Sequence, residues 1–124
     1  MNHEKAKKFI NNLFTEIWTK LDSSKLPDFY HQEMVLQMGK QTAYYQDIQH
    51  RLEYVKENYQ EIHNDIQDIL VDGDKIVVRL QQDYVPKNST KHKSFVIMAI
   101  YQMQDDKVIK GWGCIDPNVD YFEE

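Results

Sequence analysis

The chain is poor in the residues that staple, break or bend a backbone: one cysteine, three prolines and four glycines among 124 residues. A lone cysteine, Cys114, excludes an internal disulfide framework and fits a reducing compartment. With 41% hydrophobic and 28% charged residues, the composition is that of an ordinary globular protein, without disordered or low-complexity tracts. No apolar run is long enough for a membrane span or the core of a signal peptide, so we expect a cytoplasmic protein with no membrane association. There is also no basic excess. A net charge of −5 argues against nucleic acid, whose phosphates demand a cationic surface. The local cluster Lys87, Lys91, His92 and Lys93 sits with Pro86, Asn88 and Ser89 in a loop, where its charges are solvated.

Metal and phosphate signatures are absent as well. His3, His31, His50, His63 and His92 show no H-x-H, H-E-x-x-H or Cys-His spacing, so no metal site is expected. The glycines, at 39, 73, 111 and 113, form no phosphate-cradling loop, and no cofactor is indicated.

What is present is a clear order of periodicities within one domain, residues 1–124. Ala6, Phe9, Ile10, Leu13, Phe14, Ile17 and Leu21 recur at helical spacing, with Asn2 placed to cap the start. A short helix follows, with Ser24 as its cap, Pro27 in its first turn, and Leu26, Phe29 and Tyr30 facing inward. Met34–Met38 reads as a short strand ending at Gly39. From about Thr42, the positions Tyr45, Ile48, Leu52, Val55 and Tyr59 predict a second long helix. Strands then begin at Ile62, with turns at Asp72-Gly73 and Asp105-Asp106. In the strand Lys75–Val85, Ile76, Val78, Leu80, Gln82 and Tyr84 share one face. The next strand is apolar on both faces, with Phe95, Ile97, Ala99, Tyr101 and Met103 opposite Val96, Met98 and Ile100. Such a strand needs cover on both sides. Helices can cover only one face of a curled sheet, so Val96, Met98 and Ile100 predict a homodimer through the outer sheet face.

Helices followed by long antiparallel strands make an α+β domain. The segments FYHQEMVLQM (29–38), ILVDGDKIVVRL (69–80) and AIYQMQDDKVIKGW (99–112), in this order, resemble the NTF2-like superfamily and its SnoaL-like branch of polyketide cyclases and ketosteroid-isomerase relatives. The resemblance implies a cone-shaped barrel, with N-terminal helices packed on a strongly curved sheet, a pocket between them, and frequent homodimers. Acid–base members of this group often carry an E-H-W-D pattern near the final strand's tryptophan. Lys110-Gly111-Trp112-Gly113 stands in that place here.

Inward phase nominates Phe14, Tyr30, Tyr45, Leu52, Leu80, Gln82, Tyr101, Trp112 and Cys114 as the lining of a small-molecule pocket, with Trp112 buried. In a regular last strand, Val108, Lys110, Trp112, Cys114 and Asp116 share one face. His31 at the pocket mouth, Lys110 and Asp116 are then the candidate catalytic groups for proton transfer. Three functions remain open at this point: binding of a small, largely apolar ligand; an isomerase, cyclase or dehydratase acting on a small carbonyl compound; and a non-catalytic dimerisation or protein-interaction module.

Overall fold

The structure is a computed structural model, and it describes residues 1–115. Helix α1 spans His3–Glu16, and the Asn2 side chain accepts the Lys5 N–H at 2.8 Å, as an N-cap does. The apolar stripe continues past the helix end. Ile17 and Trp18 stay buried, while Leu21 turns the chain with a left-handed φ of 57°. The Thr19 hydroxyl donates to the Phe14 carbonyl at 2.7 Å, satisfying one of the acceptors a helix end leaves open. A 3-10 turn at Ser23–Lys25 is capped by Asp22, whose carboxylate accepts both the Ser24 N–H and its hydroxyl; Ser24, expected to cap the short helix that follows, lies inside this turn, and Lys25 holds that N-cap position without a side-chain bond. Helix α2, Leu26–Phe29, carries Pro27 in its first turn.

Strand β1 (Tyr30–Met38) begins earlier than its apolar run, and β2 (Gln41–Tyr44) pairs back on it antiparallel. Helix α3, Tyr45–Asn58, therefore starts after β2 and not at Thr42. Its first turn is held by the Asp47 carboxylate, which accepts the Tyr44 N–H at 2.7 Å. Strands β3 (Tyr59–Asp72), β4 (Lys75–Pro86), β5 (Lys93–Gln104) and β6 (Lys107–Cys114) complete the fold. Both expected turns are present: Gly73 has φ 60°, and Asp105 and Asp106 have φ 54° and 62°, the left-handed pair that suits a two-residue hairpin.

The six strands form one curved sheet in the order β2-β1-β6-β5-β4-β3, antiparallel except for the β1–β6 pair. It stays open, with β2 and β3 at its edges. The alternation along β4 and β5 is as the sequence predicts: Ile76, Val78, Leu80, Gln82 and Tyr84, and Phe95, Ile97, Ala99, Tyr101 and Met103, are buried against Ile10, Leu13 and Phe14 of α1 and Ile48, Leu52 and Val55 of α3. Val96, Met98 and Ile100 face outward. Among the described residues, no helix is long and apolar enough to cross a membrane.

Strand β6 departs from simple alternation. Gln102 pairs with Lys110 but Met103 with Val108, so Ile109 is an extra residue that shifts the phase by one. Val108 is buried, whereas Lys110, Trp112 and Cys114 lie on the outer face. The expected burial of Trp112 is thus corrected: the indole is 41% exposed. Gly111 and Gly113 take the inward positions instead. A Cβ on Gly111 would run into the Leu36 side chain and come within 3.1 Å of the Tyr101 ring, and one on Gly113 would meet the Met38 sulfur. A side chain at Gly111 has no room between β1 and β5, and one at Gly113 fits only if Met38 moves; the bulge sets these glycines inward and Trp112 outward.

Candidate functional site

A narrow cavity lies between the end of α1 and the inner face of the sheet. Phe14 and Trp18 form one wall, Tyr30, Leu36 and Met38 of β1 another, and Ile48, Ile97 and Tyr101 close it. Its free volume is about 20 Å³. One water needs roughly 10–15 Å³ by this measure, so the space is close to full. The polar feature at its wall is a buried hydrogen bond from Trp18 Nε1 to the Tyr30 hydroxyl, 3.0 Å long.

The loop bearing Trp18 is fixed to the sheet by a chain of amides. Asn64 Nδ2 donates to the Trp18 carbonyl and to Thr19 Oγ1, each at 3.1 Å, and Asn64 Oδ1 accepts from Gln82 Nε2 at 2.8 Å. Gln82 is nevertheless buried, and this acceptor is what makes an inward amide tolerable. At the α2 end, Glu16 binds Lys20 and Lys25 at 3.3 and 2.9 Å. The hydrogen bond from Lys25, with that from Lys20, holds the Glu16 carboxyl below its ordinary range.

Of the residues nominated from sequence, Phe14, Tyr30 and Tyr101 line the cavity. Leu52, Leu80 and Gln82 are buried elsewhere on the inner side, and Tyr45 is half-buried, its phenol pushed up by burial with a smaller contribution from Asp28. Trp112 and Cys114, nominated as lining residues, are on the opposite face because of the β6 bulge. His31 follows the inward Tyr30 and is only half-buried, its Nδ1 accepting the Glu33 N–H at 3.2 Å. Lys110 is exposed on the outer face, and Asp116 lies outside the described residues. The geometry therefore does not bring His31 and Lys110 together.

Trp18, Leu36, Met38, Ile48 and Ile97 were not nominated. Their signal was present: Trp18 follows Phe14 by one helical repeat, Leu36 and Met38 alternate with Met34, and Ile97 shares the face of Tyr101. Further along the inner side, Arg51 is buried with its guanidinium 5.8 Å from the Tyr54 ring, and Tyr59, Tyr84 and Phe95 pack in succession, tilted at 4.6 Å and edge-on at 5.4 Å. Burial pushes the Tyr84 phenol up, with Arg51 opposing.

The family model for the SnoaL-like domain matches residues 11–111, a span that contains every wall of the cavity. The chain belongs to the SnoaL-like family. Solved structures agree on the fold of this SnoaL-like domain. A protein named as a polyketide cyclase from Acidithiobacillus ferrooxidans is 18% identical, with a TM-score of 0.79 over 94% of this chain and 92% of its own. AclR from Streptomyces galilaeus, named as a hydroxylase, is 13% identical, with a TM-score of 0.81 over 94% and 82%. An LEH-like epoxide hydrolase from M. tuberculosis is 10% identical, with a TM-score of 0.76 over 91% and 84%. At such identities the likeness is one of fold. No curated protein matches the chain.

Proposed function

We propose that this SnoaL-like domain binds a small, largely apolar molecule of about one aromatic ring beside the Trp18–Tyr30 pair. The observation that carries the reading is that buried hydrogen bond, set in a cavity walled otherwise by aliphatic and aromatic side chains. Such sites combine apolar walls with a few polar groups that orient the ligand. The free volume, about 20 Å³, decides how binding happens. A single ring needs a cavity on the order of 150 Å³, so a wall must yield. Met38 is the side chain suited to yield: it is unbranched, only half-buried, and packed against the bare backbone of Gly113.

Proton-transfer chemistry has less support. Among the described residues, Tyr30 and Tyr101 are the titratable groups at the cavity wall, and neither His31 nor Lys110 reaches it. The small volume favours a second reading, in which the pocket stays filled and the domain serves association. A single cysteine, which leaves the fold independent of any internal disulfide, is compatible with a reducing, cytoplasmic setting for either reading.

Titration with p-cresol, followed by NMR, separates the two. Saturable shifts at residues of the cavity wall are expected in the wild type at millimolar probe, tighter in Met38→Ala and lost in Ile97→Trp. Folded wild-type and Met38→Ala proteins that show no saturable shift would overturn ligand binding and leave association.

A further inference from the structure

Arg51 and Tyr59 bring polar groups to the inner side of the sheet that the cavity beside Trp18 does not use, and they are only 6% and 8% exposed. Arg51 lies on the buried stripe of α3, one turn beyond Ile48, and Phe95 is the inward residue of β5 that precedes Ile97. Ile48 and Ile97 are walls of the cavity. Both stripes therefore lead from that wall to the same cluster, over about 4.5 Å of helix at ~1.5 Å per residue and about 7 Å of strand at ~3.4 Å per residue. There the guanidinium stands 5.8 Å from the Tyr54 ring, and the Tyr54, Tyr59 and Tyr84 rings follow one another at 6.2 and 4.6 Å. Burial raises the Tyr84 phenol and the Arg51 charge opposes it, so the field of the guanidinium reaches the ring that packs on Tyr59. Among the described residues, the buried Tyr59 hydroxyl has no hydrogen-bond partner. Buried polar groups are nearly all hydrogen-bonded, so this donor is placed for an acceptor that a bound molecule brings.

We propose that the molecule bound by this domain is an aromatic monocarboxylic acid, with its ring beside Trp18 and Tyr30 and its carboxylate accepting hydrogen bonds from the Arg51 guanidinium and the Tyr59 hydroxyl. The inference deepens the ligand reading above and rests on it. A carboxylate suits both donors, because its planar pair of oxygens matches the guanidinium fork and keeps lone pairs for a hydroxyl. The fork carries five N–H donors, so Arg51 can take a carboxylate in addition to its contacts within the chain. A cationic ligand is repelled by the same guanidinium, and a purely hydrocarbon one leaves the Tyr59 hydroxyl as it stands. The separation of the cluster from the cavity wall calls for a short alkyl arm between ring and carboxylate, as in phenylpropionate.

NMR titration of the full chain with phenylpropionate and with its uncharged counterpart phenylpropionamide tests the proposal, with p-cresol as the probe of the ring site alone. The wild type should bind the acid about tenfold or more tighter than the amide, the margin a charge-assisted pair gives over a neutral one. Arg51→Gln should abolish that preference and keep the p-cresol shifts. Tyr59→Phe should weaken the acid several-fold and leave p-cresol unchanged. It should also leave the melting temperature of the unliganded protein at or above that of wild type, because it removes a donor that has no partner, whereas loss of a structural hydroxyl would lower it. The wild-type comparison of acid with amide needs no variant, so it decides the matter even if Arg51→Gln does not fold. Saturable p-cresol shifts without a preference for the acid overturn this inference and leave the ligand reading standing. A preference that survives in folded Arg51→Gln and in Tyr59→Phe overturns it as well, and the absence of saturable shifts with every probe overturns both.

Discussion

Trp112 of β6 and Ile100 of β5 are cross-strand partners on the outer face of the sheet, and both side chains are exposed. An aromatic ring beside a β-branched residue contributes roughly 0.2–1 kcal/mol in such a pair, well below the cost of emptying a core site. Trp112→Ala should therefore leave the unfolding free energy of the monomer within about 1 kcal/mol of wild type. Urea denaturation in dilute solution checks this.

The glycines beside Trp112 should respond in the opposite sense. Gly111→Ala pushes a methyl between Leu36 and the Tyr101 ring, and overpacking of this kind costs about 1–3 kcal/mol. Gly113→Ala should cost less, because the sulfur end of Met38 can swing away. The order of unfolding midpoints, wild type above Gly113→Ala above Gly111→Ala, is the measurement.

Asn64→Ala removes the acceptor of the Gln82 amide and two donor contacts to the Trp18–Thr19 loop. A buried donor left without its partner costs about 1–3 kcal/mol. The variant should lose that much in denaturant unfolding and should loosen Trp18, seen as a red shift of its emission.

The strands that form the two-sided sheet were legible because their side chains alternate strictly, and Asn2, Asp72-Gly73 and Asp105-Asp106 announced a helix start and two turns. Where local pattern and tertiary contact disagreed, the contact won. Three residues, Thr42–Tyr44, read as the start of a helix but belong to β2 and pair with β1, since an available edge offers their backbone a full ladder. Periodicity put Trp112 inside, whereas the bulge at Ile109 turns it outward and brings Gly111 inward, where Leu36 and Tyr101 leave no room for a side chain. The same one-residue shift carried Lys110 and Cys114 away from the pocket. Cavity walls drawn from α1, β1, α3 and β5 depend on how those elements meet, and periodicity within any one of them does not report that.

Acid sensitivity should focus on Glu16. Its carboxyl is depressed in the folded chain by Lys25 and Lys20, so the stabilisation is present above the unfolded pKa of about 4.3 and is lost as pH falls through the lower folded value. Lys25 is raised by the same pair, so its share persists at neutral pH and fades only as pH rises past its folded value. Glu16→Gln should thus lower the melting temperature at pH 7 slightly and converge with wild type in strong acid. Melting curves across pH 2–7, a window spanning the carboxylate range, show whether the two lines meet.

Heavy-atom quenching of Trp18 tests the ligand reading most directly, since the indole forms a wall of the cavity. The chain has two tryptophans, so Trp112→Phe leaves Trp18 as the sole emitter without touching the pocket. Bromobenzene should quench that emission along a saturating curve, and Met38→Ala in the same background should shift saturation to lower concentration. Quenching that rises only linearly with bromobenzene in both proteins would mean contact by collision alone, and the cavity would not be a binding site.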